Sequence, residues 1–219
     1  MKTKGMKNLI SGIAFIISFA IWTMLIQIID MQPIGANGTN IGFATINSWF
    51  HSLTGVNMTL YTITDWLGLV PIFICMIFGF VGFLQLVQRK NLLKVDLDII
   101  ILGVYYVIVI LCYLIFEMYP INYRPILING FMEASYPSST TLLVLCVMPT
   151  LVFQANQRLK NVTLKTIITV LSLSFSLFMV VGRLISGVHW LTDIAGSILL
   201  SMGLFCIYKA VVYYVIKRK

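Results

Sequence analysis

The sequence predicts an all-α protein that crosses a membrane six times. Three observations carry that prediction. The composition is 59% hydrophobic and 10% charged, against roughly 25% charged in soluble domains, and the mean hydropathy is +0.97. Long charge-free apolar runs recur along the 219 residues, each a candidate for a membrane span. The basic residues gather in short clusters beside those runs, which is the pattern that sets topology.

Taken in order, the spans fall at about 9–29, 67–86, 99–116, 140–155, 166–181 and 191–216, in a single integral-membrane domain covering 1–219. The first follows Lys2, Lys4 and Lys7. It is too long for a signal-peptide core and no small-residue cleavage site follows, so it reads as a retained anchor. The later runs are short, because they begin in a polar layer that faces protein rather than lipid. Arg89, Lys90 and Lys94 separate spans two and three. Arg158, Lys160 and Lys165 separate spans four and five, and Lys217, Arg218 and Lys219 close the chain. Six spans put all these clusters on one side, which places both termini in the cytoplasm. Lys209 lies in the last span, near its cytoplasmic end.

The outer segments differ. The first, 30–66, has no Lys or Arg and opens on turn residues Pro33, Gly35, Asn37 and Gly38. Phe43, Ile46, Phe50 and Leu53 then follow helical spacing. With Trp49, they describe a helix lying in the interface or one packed over the bundle. Asp65 stands where it would cap the second span. Asn37-Gly38-Thr39 and Asn57-Met58-Thr59 match the glycosylation sequon, which has no meaning in a bacterium.

Other classes fit less well. The net charge of +8 is not arranged as a basic stripe with interleaved aromatics, so nucleic acid is not an expected partner. Cys75, Cys112, Cys146 and Cys206 sit inside apolar runs without CxxC spacing and read as small buried hydrophobes. Two distant histidines and no acidic pair at helical spacing give no metal site, and no cofactor is expected. His51 is expected to be structural.

The chemistry lies in the other two outer segments, 117–139 and 182–190. Of the 15 Lys and Arg, only Arg124 and Arg183 fall on the outer side. That runs against the positive-inside bias and calls for an anionic ligand, most simply a phosphate. His189 and Asp193 are four apart, a spacing that on a helix lets a carboxylate orient an imidazole. A histidine so held can act as nucleophile or base. Pro137-Ser138-Ser139 precedes the fourth span, where N–H groups at a helix N-terminus favour an anion.

These residues resemble the type 2 phosphatidic acid phosphatase superfamily, which shares its core with vanadium haloperoxidases. Its third motif, Ser-Arg, five residues, His, three residues, Asp, is matched by Arg183, His189 and Asp193, with Gly182 in place of Ser and Gly187-Val188-His189-Trp190 as context. The resemblance implies that His189 forms a phosphohistidine and Asp193 orients it. It implies that Arg124 and Arg183 bind phosphate, with Ser138 and the backbone at Ser139 assisting. The first motif, Lys, six residues, Arg-Pro, has Glu117 in place of Lys. The second, Pro-Ser-Gly-His, has Thr140 in place of the histidine that protonates the leaving group.

The expected function is therefore hydrolysis of a lipid phosphate or diphosphate at the extracytoplasmic face of a bacterial cell membrane. The loss of a general acid favours a polyprenyl diphosphate, whose leaving group is a phosphate monoester with a second pKa of about 6. Glu117 or Glu133 is the candidate replacement acid, and Glu117 is also placed to pair with Arg124. A degenerate protein that binds or transports lipid phosphates, and a phosphotransferase, are the alternatives.

Overall fold

The computed structural model describes residues 2–215 and is helical. The helices are α1 (Lys2–Ile26), α2 (Ala44–Thr54), α3 (Met58–Leu67), α4 (Leu69–Arg89), α5 (Leu97–Met118), α6 (Ser139–Arg158), α7 (Val162–Ile185) and α8 (Leu191–Val215). Among the described residues, six segments are long and apolar enough to cross a membrane: Thr3–Ile26, Met58–Arg89, Leu97–Met118, Ser139–Arg158, Val162–Ile185 and Leu191–Val215. The closing basic residues 217–219 lie outside the described residues.

The helices overrun the expected bounds at most ends. The largest difference is at the second span, where α3 and α4 follow each other and break only at Gly68. The polar Thr59, Thr62, Thr64 and Asp65 hide α3 from a hydropathy reading. Asp65 is consequently not a cap. It lies inside α3, and Asn57 caps that helix by accepting from the Leu60 N–H at 2.9 Å.

At one end of the bundle an ion network joins three helices. Asp96 takes Arg89 at 2.8 Å and Arg158 at 3.3 Å, and Arg158 also reaches Asp98 at 2.5 Å. Deeper in, polar side chains fasten buried faces. The Tyr105 hydroxyl donates to the Cys146 carbonyl at 3.1 Å, Tyr106 meets Thr150 at 2.7 Å, and Gln154 donates to Tyr208 at 2.9 Å. These bonds satisfy groups that are costly to bury alone. The four cysteines are free.

The opposite end carries the long loops. Helix α2 shares both characters read from its sequence. Ala44 and Asn47 are buried, and Asn47 donates to Thr192 at 3.0 Å, while Ile46, Trp49 and Leu53 are exposed. The segment after α5 folds back on itself. Tyr123 pairs with Ala134 and Ile128 with Phe131 in antiparallel bridges. Asn129 and Gly130 turn the chain with φ of 50° and 83°. That Asn-Gly pair at positive φ is the signature of a tight hairpin.

Candidate active site

The hairpin delivers the first arginine. Arg124 N–H donates to the Glu133 carbonyl at 3.1 Å, and the Arg124 Nε lies 3.1 Å from Glu133 Oε2. The expected partner, Glu117, is exposed at the end of α5, so the pairing of Arg124 with Glu117 is corrected to one with Glu133. Hairpin pairing explains this, because it sets residues across the turn side by side.

The second arginine comes from α7. Arg183 is 1% exposed, and its guanidinium lies over the Tyr61 ring of α3, 4.9 Å from the centroid. Arg124 approaches the same ring at 5.7 Å. Arg183 Nη1 is 3.4 Å from Thr64 Oγ1 and 3.6 Å from Asp65 Oδ1. Gly182 permits this packing, since a Cβ there would sit 2.8 Å from Thr64 Cγ2. The serine usual at that motif position would collide with α3.

His189 is not on a helix. It sits in the loop between α7 and α8, and Asp193 is in the first turn of α8. The shared helix face expected from their spacing is corrected accordingly. The imidazole Nδ1 is 3.1 Å from the Ser135 carbonyl and 3.7 Å from Asp193 Oδ2. A carbonyl can only accept, so Nδ1 carries the proton and Nε2 keeps its lone pair. Asp193 accepts from the Trp190 N–H at 2.9 Å and from Asn122 at 3.3 Å. Its carboxylate thereby fixes the loop as well as facing the imidazole, in the manner of a capping residue at a helix start.

Ser138 is buried at the start of α6, and its hydroxyl donates to Thr141 Oγ1 at 3.1 Å. Ser139 opens the helix, so the N–H groups of this turn lack intrahelical acceptors and favour an anion. Thr140 lines a cavity of about 490 Å³ between α3, α4, α5 and α6 with Asp65, Leu69, Ile72, Leu143 and Val147.

Among the described residues, Arg124 Nη1, Arg183 Nε, His189 Nε2 and Ser135 Oγ are buried without a hydrogen-bond partner, and Arg124 Nε, although 3.1 Å from Glu133 Oε2, makes no well-directed hydrogen bond there. Native interiors leave few such groups. Here they all belong to the residues assembled around the two arginines and the histidine.

Residues 99–217 match the family model described as PAP2 superfamily. The chain belongs to the PAP2 superfamily. Its fold is similar to that of the crystal structure of the first transmembrane PAP2 type phosphatidylglycerolphosphate phosphatase from Bacillus subtilis. The TM-score is 0.65 at 16% identity, over 94% of this chain and 97% of that one. No curated protein matches. The PAP2 match begins after α4, so it takes in Arg124, Arg183, His189 and Asp193 but not Tyr61, Thr64 or Asp65. Sequence patterns do not mark Tyr61 or Thr64 as site residues and misplace Asp65 as a cap, because their contacts with Arg183 span more than a hundred positions and leave no local spacing. The Asn129-Gly130 pair was a legible signal for the hairpin.

Proposed function

We propose that this PAP2 protein is a membrane phosphatase that hydrolyses a lipid phosphate or diphosphate through a phosphohistidine at His189. The observation that carries the reading is the cluster of unpartnered buried atoms on Arg124, Arg183 and His189. In this reading the phosphoryl oxygens occupy the guanidinium groups and the α6 N-terminus. Nε2 attacks phosphorus in line, the bond to the leaving oxygen breaks, and the arginines stabilise charge on the transferring group. Water then attacks phosphorus and returns the electron pair to Nε2. The largely apolar cavity reaching Thr140 supports entry of a lipid from the side, with its tail left between helices. The basic clusters at the far end support an extracytoplasmic site.

A polyprenyl diphosphate is the favoured substrate, since Thr140 cannot serve as the usual acid and a phosphate leaving group needs less help than an alkoxide. The same substitution favours a second reading, a protein that binds or transports lipid phosphates without turnover. Phosphate release in detergent micelles separates the two. The panel is a long-chain polyprenyl diphosphate, phosphatidic acid and phosphatidylglycerol phosphate. Release that is fastest from the diphosphate and abolished by His189→Ala is the expected result. Retained phospholipid binding with no release from any of the three substrates would establish the second reading.

A further inference from the structure

The second motif has lost its acid, yet the chain holds seven carboxyl groups from which one could be supplied. Among the described residues, six of them do not touch both Arg183 and the cavity at Thr140. Asp30 accepts from the Thr45 N–H and from Gln32 in the loop before α2. Asp96 and Asp98 belong to the ion network at the opposite end of the bundle. Glu117 lines a small pocket with Pro137, Ser139 and Leu142 but forms no ion pair with either arginine, Glu133 lies beside Arg124 on the hairpin but does not line the cavity with Thr140, and Asp193 is wholly buried under Trp190 and Asn122.

Among the described carboxyl groups, Asp65 alone touches both Arg183 and the cavity at Thr140. Its Oδ1 is 3.6 Å from Arg183 Nη1, and it lines the same cavity as Thr140. The joint between α3 and α4 lies against the first turn of α6. A Cβ on Gly68 would be 3.4 Å from Thr140 Cγ2 and 2.8 Å from the Asp65 carbonyl. The Asp65 side chain is 56% exposed and open to water. Arg124, Glu133, Tyr61 and His189 are the other ionisable groups near Arg183, and Tyr61 is occupied beneath the guanidinium groups.

We propose that Asp65 is the proton donor to the leaving oxygen, doing from α3 what a histidine at position 140 would do from α6. The inference rests on the phosphatase reading above. A phosphate monoester has a second pKa of about 6, so part of it arrives as the monoanion and brings a proton that the Asp65 carboxylate takes up. His189 Nε2 forms its bond to phosphorus, the phosphorus–oxygen bond breaks, and the leaving oxygen receives that proton from Asp65. In the second step the carboxylate accepts a proton from the attacking water. The phosphorus–nitrogen bond then breaks, its electron pair returns to Nε2, and inorganic phosphate leaves.

A donor of this kind matters in proportion to the basicity of the leaving group, and general acid catalysis is worth about 10²–10⁴-fold. The test compares kcat for a lipid alkyl phosphate, a polyprenyl diphosphate and 4-nitrophenyl phosphate in wild type, Asp65→Asn and Asp65→Asn with Thr140→His. In Asp65→Asn the loss is expected to be largest for the alkyl phosphate, about 10²-fold or more. It should be small for the diphosphate and for 4-nitrophenyl phosphate, whose leaving groups are both weakly basic, with Thr140→His restoring turnover of the alkyl phosphate. An equal loss on all three substrates would reduce Asp65 to a partner that merely positions Arg183 and overturn the proposal. So would an undiminished Asp65→Asn, or a wild type that hydrolyses the diphosphate but not the alkyl phosphate, in both of which cases the phosphatase reading stands. A wild type inactive on all three overturns both.

Discussion

Burial first, and then the positive charges of Arg124 and Arg183, hold His189 well below the ordinary histidine value of 6.5. The imidazole is therefore neutral at physiological pH, as a nucleophile requires. The same depression has a consequence for stability. Below about pH 6.5 the unfolded chain takes up a proton on this residue that the folded chain refuses, so unfolding gains as the pH falls. The contribution is absent above the unfolded value and grows below it, at up to about 1.4 kcal/mol per pH unit. Thermal melts in micelles are expected to show a midpoint that drops between pH 6.5 and 5, with a shallower drop in His189→Gln. Identical pH dependence in the two proteins would show that His189 takes up its proton in the folded state.

At the scale of elements, the loop carrying His189 is held by the ends of α2 and α3. The Asn57 N–H donates to the Ser186 carbonyl at 2.9 Å, and His51 Nε2 lies 3.1 Å from the Gly187 carbonyl. Gly187 has a φ of +68°, and a Cβ there would run into the backbone carbonyl of Gly55. Gly187→Ala is thus strained twice, by its dihedral and by a rigid neighbour. It is expected to lower unfolding stability by about 1–3 kcal/mol and to reduce kcat by displacing His189. A denaturation series and steady-state kinetics on the same preparation would check both, and an unchanged melting temperature would contradict the strain. Much of this arrangement was legible beforehand. The six-span order, and the Arg124, Arg183, His189 and Asp193 that the fold gathers at one end of the bundle, are read from patterns within a few residues. The shared helix face and the Glu117 pairing did not hold, because a loop and a hairpin set those contacts rather than helical periodicity. Helix α3 escaped notice because its threonines and Asp65 serve the site and dilute its hydropathy.

At the scale of the whole molecule, the polar site sits over an apolar path. The cavity beneath Thr140 shares Cys75 and Tyr106 with a second, of about 590 Å³, that continues between α4 and α5 past Gly79, Gly82 and Gly103 to Leu92 and Val95. From Gly68 to Leu86 an α-helix rises about 27 Å, close to the roughly 30 Å hydrocarbon thickness of a bilayer. Under the lipid phosphatase reading, this path gives one long chain a run of contacts that a short chain cannot make. Transfer of each buried CH₂ contributes about 0.8 kcal/mol, although bilayer lipid competes for the same surface and lowers the net gain. The preference is therefore expected in KM more than in kcat, because tail contacts are made equally in the ground and transition states. Gly103→Phe, placed where a Cβ meets nothing within 4 Å, should fill the lower cavity. It should raise KM for a long polyprenyl diphosphate several-fold more than for a short-chain analogue. A KM that rises equally for both would mean that the tail stays in the bilayer and only the upper cavity meets the substrate.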